Sequence, residues 1–312
     1  MTGTPTRDAP SGEQYEIGFG RERAVVTEVG ATLRSYEVGT HQVIEGFDVG
    51  DICDGGRGQV LAPWPNRLAD GIYEFEGVSC RVPLDEPERH NAIHGLVRWL
   101  PWSIVSRAQN VVVMACTLYP QPAYPWRLDL TVEYRLGREG LVVTALAKNP
   151  GLSPVPFGMG FHPYFAATGG RVDSMRLVIP ASRRLVTDDR GLPSGEAATA
   201  GTEYDFVHGR VVGATALDTA FGELERDGEG VARIALEEVA SGASTTLWMD
   251  SSFRYLMAFT GDTLTPSERR RTALALEPMT CPPNALQTGQ DIARIAPGNT
   301  WRGRWGVTFR QG

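Results

Sequence analysis

Residues 127–136 read RLDLTVEYRL, with polar and apolar side chains alternating at every step. That is the period of a strand with one face buried and one wet. The C-terminal stretch repeats it: Trp301, Trp305, Val307 and Phe309 fall on one side, and Arg302, Arg304, Thr308 and Arg310 on the other. Similar short segments occur at ERAVVTEV, TLRSYEV, GIYEFEG, WSIVSR, VVVMACTLY, GLVVTALAKN, MRLVIP, VARIALEEV, TTLWMD and YLMAFTG, mostly bounded by Gly, Pro, Asn or Asp. No comparable series of amphipathic helices interleaves them. Without helical crossovers a parallel sheet is hard to build, so the pattern predicts an all-β fold, a large antiparallel β-sandwich.

Length alone leaves domain count open, since 312 residues could form two average domains or one large β domain. No Pro/Gly/Ser linker marks a boundary and no fixed-period repeat is present, so one domain over 14–312 is expected behind a flexible N-terminal tail at 1–13. SGEAATAG near residue 197 and GDTLTPSERRR at 261–271 are the other stretches poorest in regular patterning, the latter expected as an exposed loop.

A net charge of -7 excludes the basic footprint of a nucleic-acid or anionic-membrane binder, and a neutral small molecule is the better partner. No window approaches the roughly 20 apolar residues of a membrane span and the N-terminus has no signal-like apolar core, so a cytoplasmic protein is expected, as monomer or homodimer. Cys53, Cys80, Cys116 and Cys281 form no CxxC pair and read as free thiols. Cys281 has no adjacent basic residue to activate it.

Four clusters interrupt the strand pattern, each setting an ionisable group among aromatic, Gly or Pro residues: APWPNRLADG (62–71), NAIHGLVRW (91–99), FGMGFHPYF (157–165) and LALEPMTCPPNAL (274–286). Loops of this composition often line sites. Glu277 precedes a proline and is expected in extended backbone at a strand end, where partial burial would raise its pKa towards that of a useful base. A salt-bridged structural glutamate fits equally well. His162, between Phe161 and Pro163, taken alone reads more simply as a core histidine than as an acid, and His94 poses the same choice. His41, His90 and His208 have no supporting context. His90 and His94 stand four apart, but Pro87, Asn91 and Gly95 oppose the helix that would make them a metal pair, and no HExxH is present. Phosphate-loop, dinucleotide and GxSxG patterns are also absent, so no metal or cofactor is expected. What remains suits proton transfer on a sugar. Aromatic faces from Trp64, Trp99, Tyr164 or Trp126 could pack on sugar C–H groups, and Arg67, His94 and Asp218 could bind hydroxyls.

Taken together, GATL (30–33), PNRLADGIYEFEG (65–77), IHGL (93–96), GFHPYF (160–165), LDTAF (217–221) and LEPMTCPPNAL (276–286) resemble, in order and spacing, the aldose 1-epimerase or galactose mutarotase family. The resemblance spans nearly the whole chain. It implies a large antiparallel β-sandwich and cofactor-free interconversion of the α and β anomers of free aldoses such as glucose and galactose. By that likeness Glu277 is the general base and His162 the general acid, and Arg67, His94 and Asp218 bind the sugar, with Asn66 and Trp64 beside them. The implied relay removes a proton from the anomeric O1 and adds one to the ring O5; the C1–O5 bond opens, C1–C2 rotates, and the ring recloses with the two groups reversed. The HPYF and EPMTCPPNAL forms are those of a bacterial subgroup whose sugar need not be galactose.

Two other readings stay open. A hexose-6-phosphate mutarotase of the same superfamily would need a cationic clamp, for which Arg98, Arg127 or Arg183 are available. A carbohydrate-binding or sensor protein could use the same sandwich without catalysis, but would need no matched acid and base.

Overall fold

The computed structural model describes residues 9–167 and 170–312. Two antiparallel sheets dominate. The larger runs through Gln14–Phe19, Glu22–Thr27, Leu33–Val38, His41–Ile44, Tyr164–Ala166, Ala273–Met279, Tyr255–Phe259, Asp218–Leu224, Ala181–Thr187 and Pro193–Ala198, with Gly160–Phe161 and Val60–Leu61 joined beside it. The second runs through Ser103–Ala108, Val111–Leu118, Leu128–Gly137, Gly140–Lys148, Thr300–Arg310, Ser244–Met249, Ala232–Glu238, Met175–Val178 and Arg210–Val211. The alternation at 127–136 becomes the interior strand Leu128–Gly137, where every second residue from Leu128 to Leu136 is buried. Its apolar face lies against the larger sheet: the Tyr134 hydroxyl donates to the Ala31 carbonyl at 2.7 Å. Phe161 meets Trp305 with ring centroids 5.2 Å apart. These contacts between sheets form the sandwich core.

Helix is confined among the described residues to Ala285–Thr288 and three short 3-10 turns. The expected tail lies outside the described residues at 1–8. The rest of it is tied down, since the Ser11 and Glu13 carbonyls accept hydrogen bonds from the Val29 and Glu28 amides at 3.0 and 2.9 Å. The SGEAATAG stretch, expected to lack regular structure, forms most of the edge strand Pro193–Ala198. Its side chains are largely exposed, so ladder hydrogen bonds to Ala181–Thr187 hold it and no apolar pattern is needed. Nor is 261–271 simply an exposed loop. Arg271 is buried, donating to Asp173, Asp262 and the Gly213 carbonyl, and Leu264 is buried as well.

Candidate active site

Glu277 lies on Ala273–Met279, a strand with all seven residues buried, and is paired with Met257 on Tyr255–Phe259. Burial on both faces removes the alternation that marks half-exposed strands. His162 occupies the break between Gly160–Phe161 and Tyr164–Ala166, where Pro163 has no N–H to continue a ladder. Its backbone is still anchored: His162 N–H donates to the Gln59 carbonyl, and its own carbonyl accepts from Gly58. Gly56 makes the approach possible, because a Cβ there would stand 2.8 Å from His162 Cδ2 on backbone with φ +73°.

These two strands and the loops around them bring the expected acid and base together. His162 Nε2 lies 3.3 Å from Glu277 Oε1, with both side chains almost wholly buried. Burial pushes Glu277 well above the ordinary carboxyl range, the Asp218 charge adds to this, and Arg67 opposes it. Burial likewise lowers His162 to about 3, helped by repulsion from Arg57 and Arg98. Burial therefore favours a carboxylic acid beside a neutral imidazole over an ion pair.

Four of the remaining predicted residues, Asn66, Arg67, His94 and Asp218, line the same cavity as that pair. The Asn66 amide donates to His94 Nδ1 at 3.2 Å, and His94 N–H returns a bond to the Asn66 carbonyl. Burial, with His162, Arg98 and Arg67 nearby, holds His94 well below its ordinary pKa. A neutral ring accepting at Nδ1 carries its proton on Nε2, leaving a donor. Asn66 sits at φ +59°, and its side-chain oxygen accepts from the Arg67 amide at 2.8 Å. Arg67 in turn forks onto Glu86, with Nε 2.9 Å from Oε2 and Nη2 3.2 Å from Oε1, and Asp218 stands 3.6 Å from Nη2. Burial alone would lower Arg67, but Glu86, Asp218 and Glu277 outweigh it and keep the guanidinium charged. Asn284 of the CPPNAL segment steadies the loop: its amide donates to the Arg67 carbonyl, and its side chain accepts from the Ala69 amide.

A cavity of about 390 Å³ opens over these groups, lined by Asn66, Arg67, His94, His162, Asp218 and Glu277. That is the size of a small-ligand site. Trp64 does not reach it: the ring is buried in the core, so its expected place beside a sugar is corrected. Trp99 is half exposed outside the cavity, Trp126 packs on Tyr124 and Phe75, and Tyr164 lies buried against His162. The apolar wall instead comes from Phe259, Met257 and Leu264, and the rim from Glu86, Glu88 and Arg89. Phe259 and Met257 gave no separate signal within the apolar run YLMAF, and the link of Glu86 to Arg67 exists only in the folded chain. Of the arginines considered for a phosphate clamp, Arg98 lines the cavity and is held by Asp85; Arg127 pairs with Asp129, and Arg183 lines a separate depression beside Glu223. His90 caps a 3-10 turn and contacts Asp70, so it shares no helix face with His94. Cys281 is buried, which pushes its thiol up to about 12.

The fold and site together define an antiparallel β-sandwich protein with a buried carboxyl–imidazole pair on the wall of its cavity. Residues 13–308 match the sequence model of the Aldose 1-epimerase family, and the chain belongs to that family. YihR of Escherichia coli K12, described as an uncharacterized protein, is 29% identical over 294 residues, covering 94% of this chain and 92% of YihR. Among solved structures, the GalM/aldose epimerase homologue from C. elegans superposes with a TM-score of 0.84 at 19% identity, covering 96% of this chain and 99% of the homologue. Galactose 1-epimerase from Lactobacillus acidophilus gives 0.80 at 19% identity, covering 96% and 95%. No helix among the described residues is long and apolar enough to cross a membrane.

Proposed function

We propose that this protein is a mutarotase that interconverts the α and β anomers of a free aldose such as glucose or galactose, with Glu277 as general base and His162 as general acid. The observation that carries the reading is the buried Glu277–His162 contact of 3.3 Å on the cavity wall. O1 and O5 of a pyranose are both bonded to C1, so groups serving them must be close neighbours.

The proton inventory of the pair explains how it works. A carboxylic acid beside a neutral imidazole holds as many protons as a carboxylate beside an imidazolium; the proton has crossed a short gap. Sugar hydroxyls entering the cavity hydrogen-bond to the charged arrangement and favour it. Glu277 carboxylate then takes the O1 proton while His162 gives its Nε2 proton to O5, and the C1–O5 bond breaks as C1–O1 becomes a carbonyl. The ring-opened state leaves Glu277 protonated and His162 neutral, the arrangement that burial favours. The environment thus stabilises the charge distribution that the reaction develops. Rotation about C1–C2 turns the other carbonyl face to O5. Reclosure reverses both transfers, so neither residue is consumed. Arg67, held by Glu86, and the His94 Nε2–H hold the hydroxyls and ring oxygen during the rotation. Asp218, exposed at the first position of its strand, accepts from a hydroxyl nearer the rim.

Freshly dissolved α-D-glucose and α-D-galactose followed by polarimetry test the proposal. Optical rotation relaxing faster than in buffer is expected; relaxation at the buffer rate across several pH values would remove both sugars as substrates. Tight sugar binding without acceleration would favour the sensor reading.

A further inference from the structure

Arg57 is 1% exposed and takes no part in the relay described above. Enclosing a guanidinium so completely is costly unless its charge is compensated. Here Nη1 lies 2.9 Å from Glu45 Oε1 and Nε 3.2 Å from Asp54 Oδ1, while Nη2 is buried without a hydrogen-bond partner among the described residues. Asp54 is also gripped by Arg269 at 2.8 Å, which joins this loop to the one supplying Thr263 and Leu264 to the cavity.

The same guanidinium lies 4.4 Å from the centroid of the Tyr164 ring. His162 stacks on that ring too, with centroids 5.1 Å apart and planes 11° from parallel. The Tyr164 hydroxyl is fixed by donating to the Gly55 carbonyl at 2.9 Å. Arg57 and His162 thus both pack on the Tyr164 ring, and Gly56, next to Arg57 in sequence, is the residue against His162 Cδ2. The charged or titratable groups around the imidazole are Glu277, His94, Tyr164, Arg98 and Arg57.

We propose that Arg57 is a positioning residue for the acid–base reaction: packed with His162 on the Tyr164 ring, it fixes the imidazole plane against Glu277 and sets a permanent positive charge behind it. The inference rests on the relay proposed above. Its chemical content is that a fixed cation drives the imidazole to release its proton, either to the sugar O5 or back to Glu277. Arginine suits the task because it never deprotonates and its planar head can stack and fork at once. Lysine would keep the charge and lose the plane.

The test compares Arg57→Met and Arg57→Lys by the pH profile of kcat/KM and by NMR of the His162 ring nitrogens, assigned with His162→Asn. The guanidinium lies within about 10 Å of the imidazole, and at an effective dielectric near 20 its removal should raise the onset of His162 protonation by about one pH unit. The acid limb of kcat/KM should move up with it. Arg57→Lys should leave that limb in place and lower kcat at least about tenfold through loss of imidazole alignment. A folded Arg57→Met with an unmoved His162 titration and a pH-independent loss of activity would overturn the proposal. If Arg57→Met does not fold, Arg57→Lys decides: wild-type kcat refutes the positioning role. The NMR signal is read without sugar, so it separates a failure of this inference from a failure of mutarotation itself.

Discussion

Replacing Glu277 by Gln should uncouple activity from stability. The substitution keeps the shape of a side chain that is 2% exposed and removes its ability to take the O1 proton. General acid–base groups contribute typically ~10²-fold to 10⁴-fold, or about 2.7–5.4 kcal/mol of barrier. The mutarotation rate should fall by that amount, measured by polarimetry on a sugar the wild type turns over. Stability should behave otherwise. Burial holds Glu277 protonated above the ordinary carboxyl range, so the folded protein binds a proton that the unfolded chain has released. That linkage stabilises the fold below the unfolded pKa and is lost as pH rises through the higher folded value. Glutamine carries no such dependence, so the melting temperature of the variant relative to wild type should rise as pH climbs above the ordinary carboxyl range, with the folds superimposable. A loss below tenfold in a folded variant would take Glu277 out of the role of base. A relative stability that falls with pH would refute the assignment of its buried, protonated state.

The opposite sign applies to His162, whose pKa is lowered to about 3 from an ordinary 6.5: its contribution is full above pH 6.5 and drains away as pH falls towards 3. His162→Asn should therefore flatten the fall in melting temperature between pH 6.5 and 4, besides losing ~10²-fold to 10⁴-fold of activity. Arg67→Lys cannot reproduce the fork to Glu86 and should lower kcat/KM roughly tenfold to a hundredfold, read from substrate titrations. Gly56→Ala places a methyl 2.8 Å from His162 Cδ2 on left-handed backbone, so kcat should fall and thermal melting should show destabilisation of about 1 kcal/mol or more. Trp99→Ala, half exposed and outside the cavity, should leave KM unchanged, whereas Trp64→Phe should cost stability and not sugar affinity, comparing melts with KM.

The half-exposed strands were legible because one face meets water: Leu128–Gly137 shows its pairing period in the sequence. Ala273–Met279, buried on both faces, carries no such period, and Glu277 was found through its proline-bounded motif instead. The polar centre was readable for a related reason. Histidine, arginine and carboxylate groups set among Gly, Pro and aromatics stand out, and the ordered motifs linked them across the chain. The apolar wall was not readable. Tryptophan invites a sugar-stacking role by its chemistry, yet Trp64 is consumed by the core, while Phe259 and Met257 reach the cavity only because their strand pairs with those of Asp218 and Glu277. The Glu86 fork and the Arg57–Tyr164 contact join residues from different loops, and local sequence holds no trace of such pairings.

The central claim, that the Glu277–His162 pair opens and closes sugar rings, is tested most directly by exchange NMR on a panel of free aldoses including glucose and galactose. The wild-type protein should give cross-peaks between α and β anomers of at least one aldose at a rate far above buffer, and Glu277→Gln should abolish them. Anomer exchange at the buffer rate for every sugar in the panel, or exchange that survives in Glu277→Gln, would contradict the account.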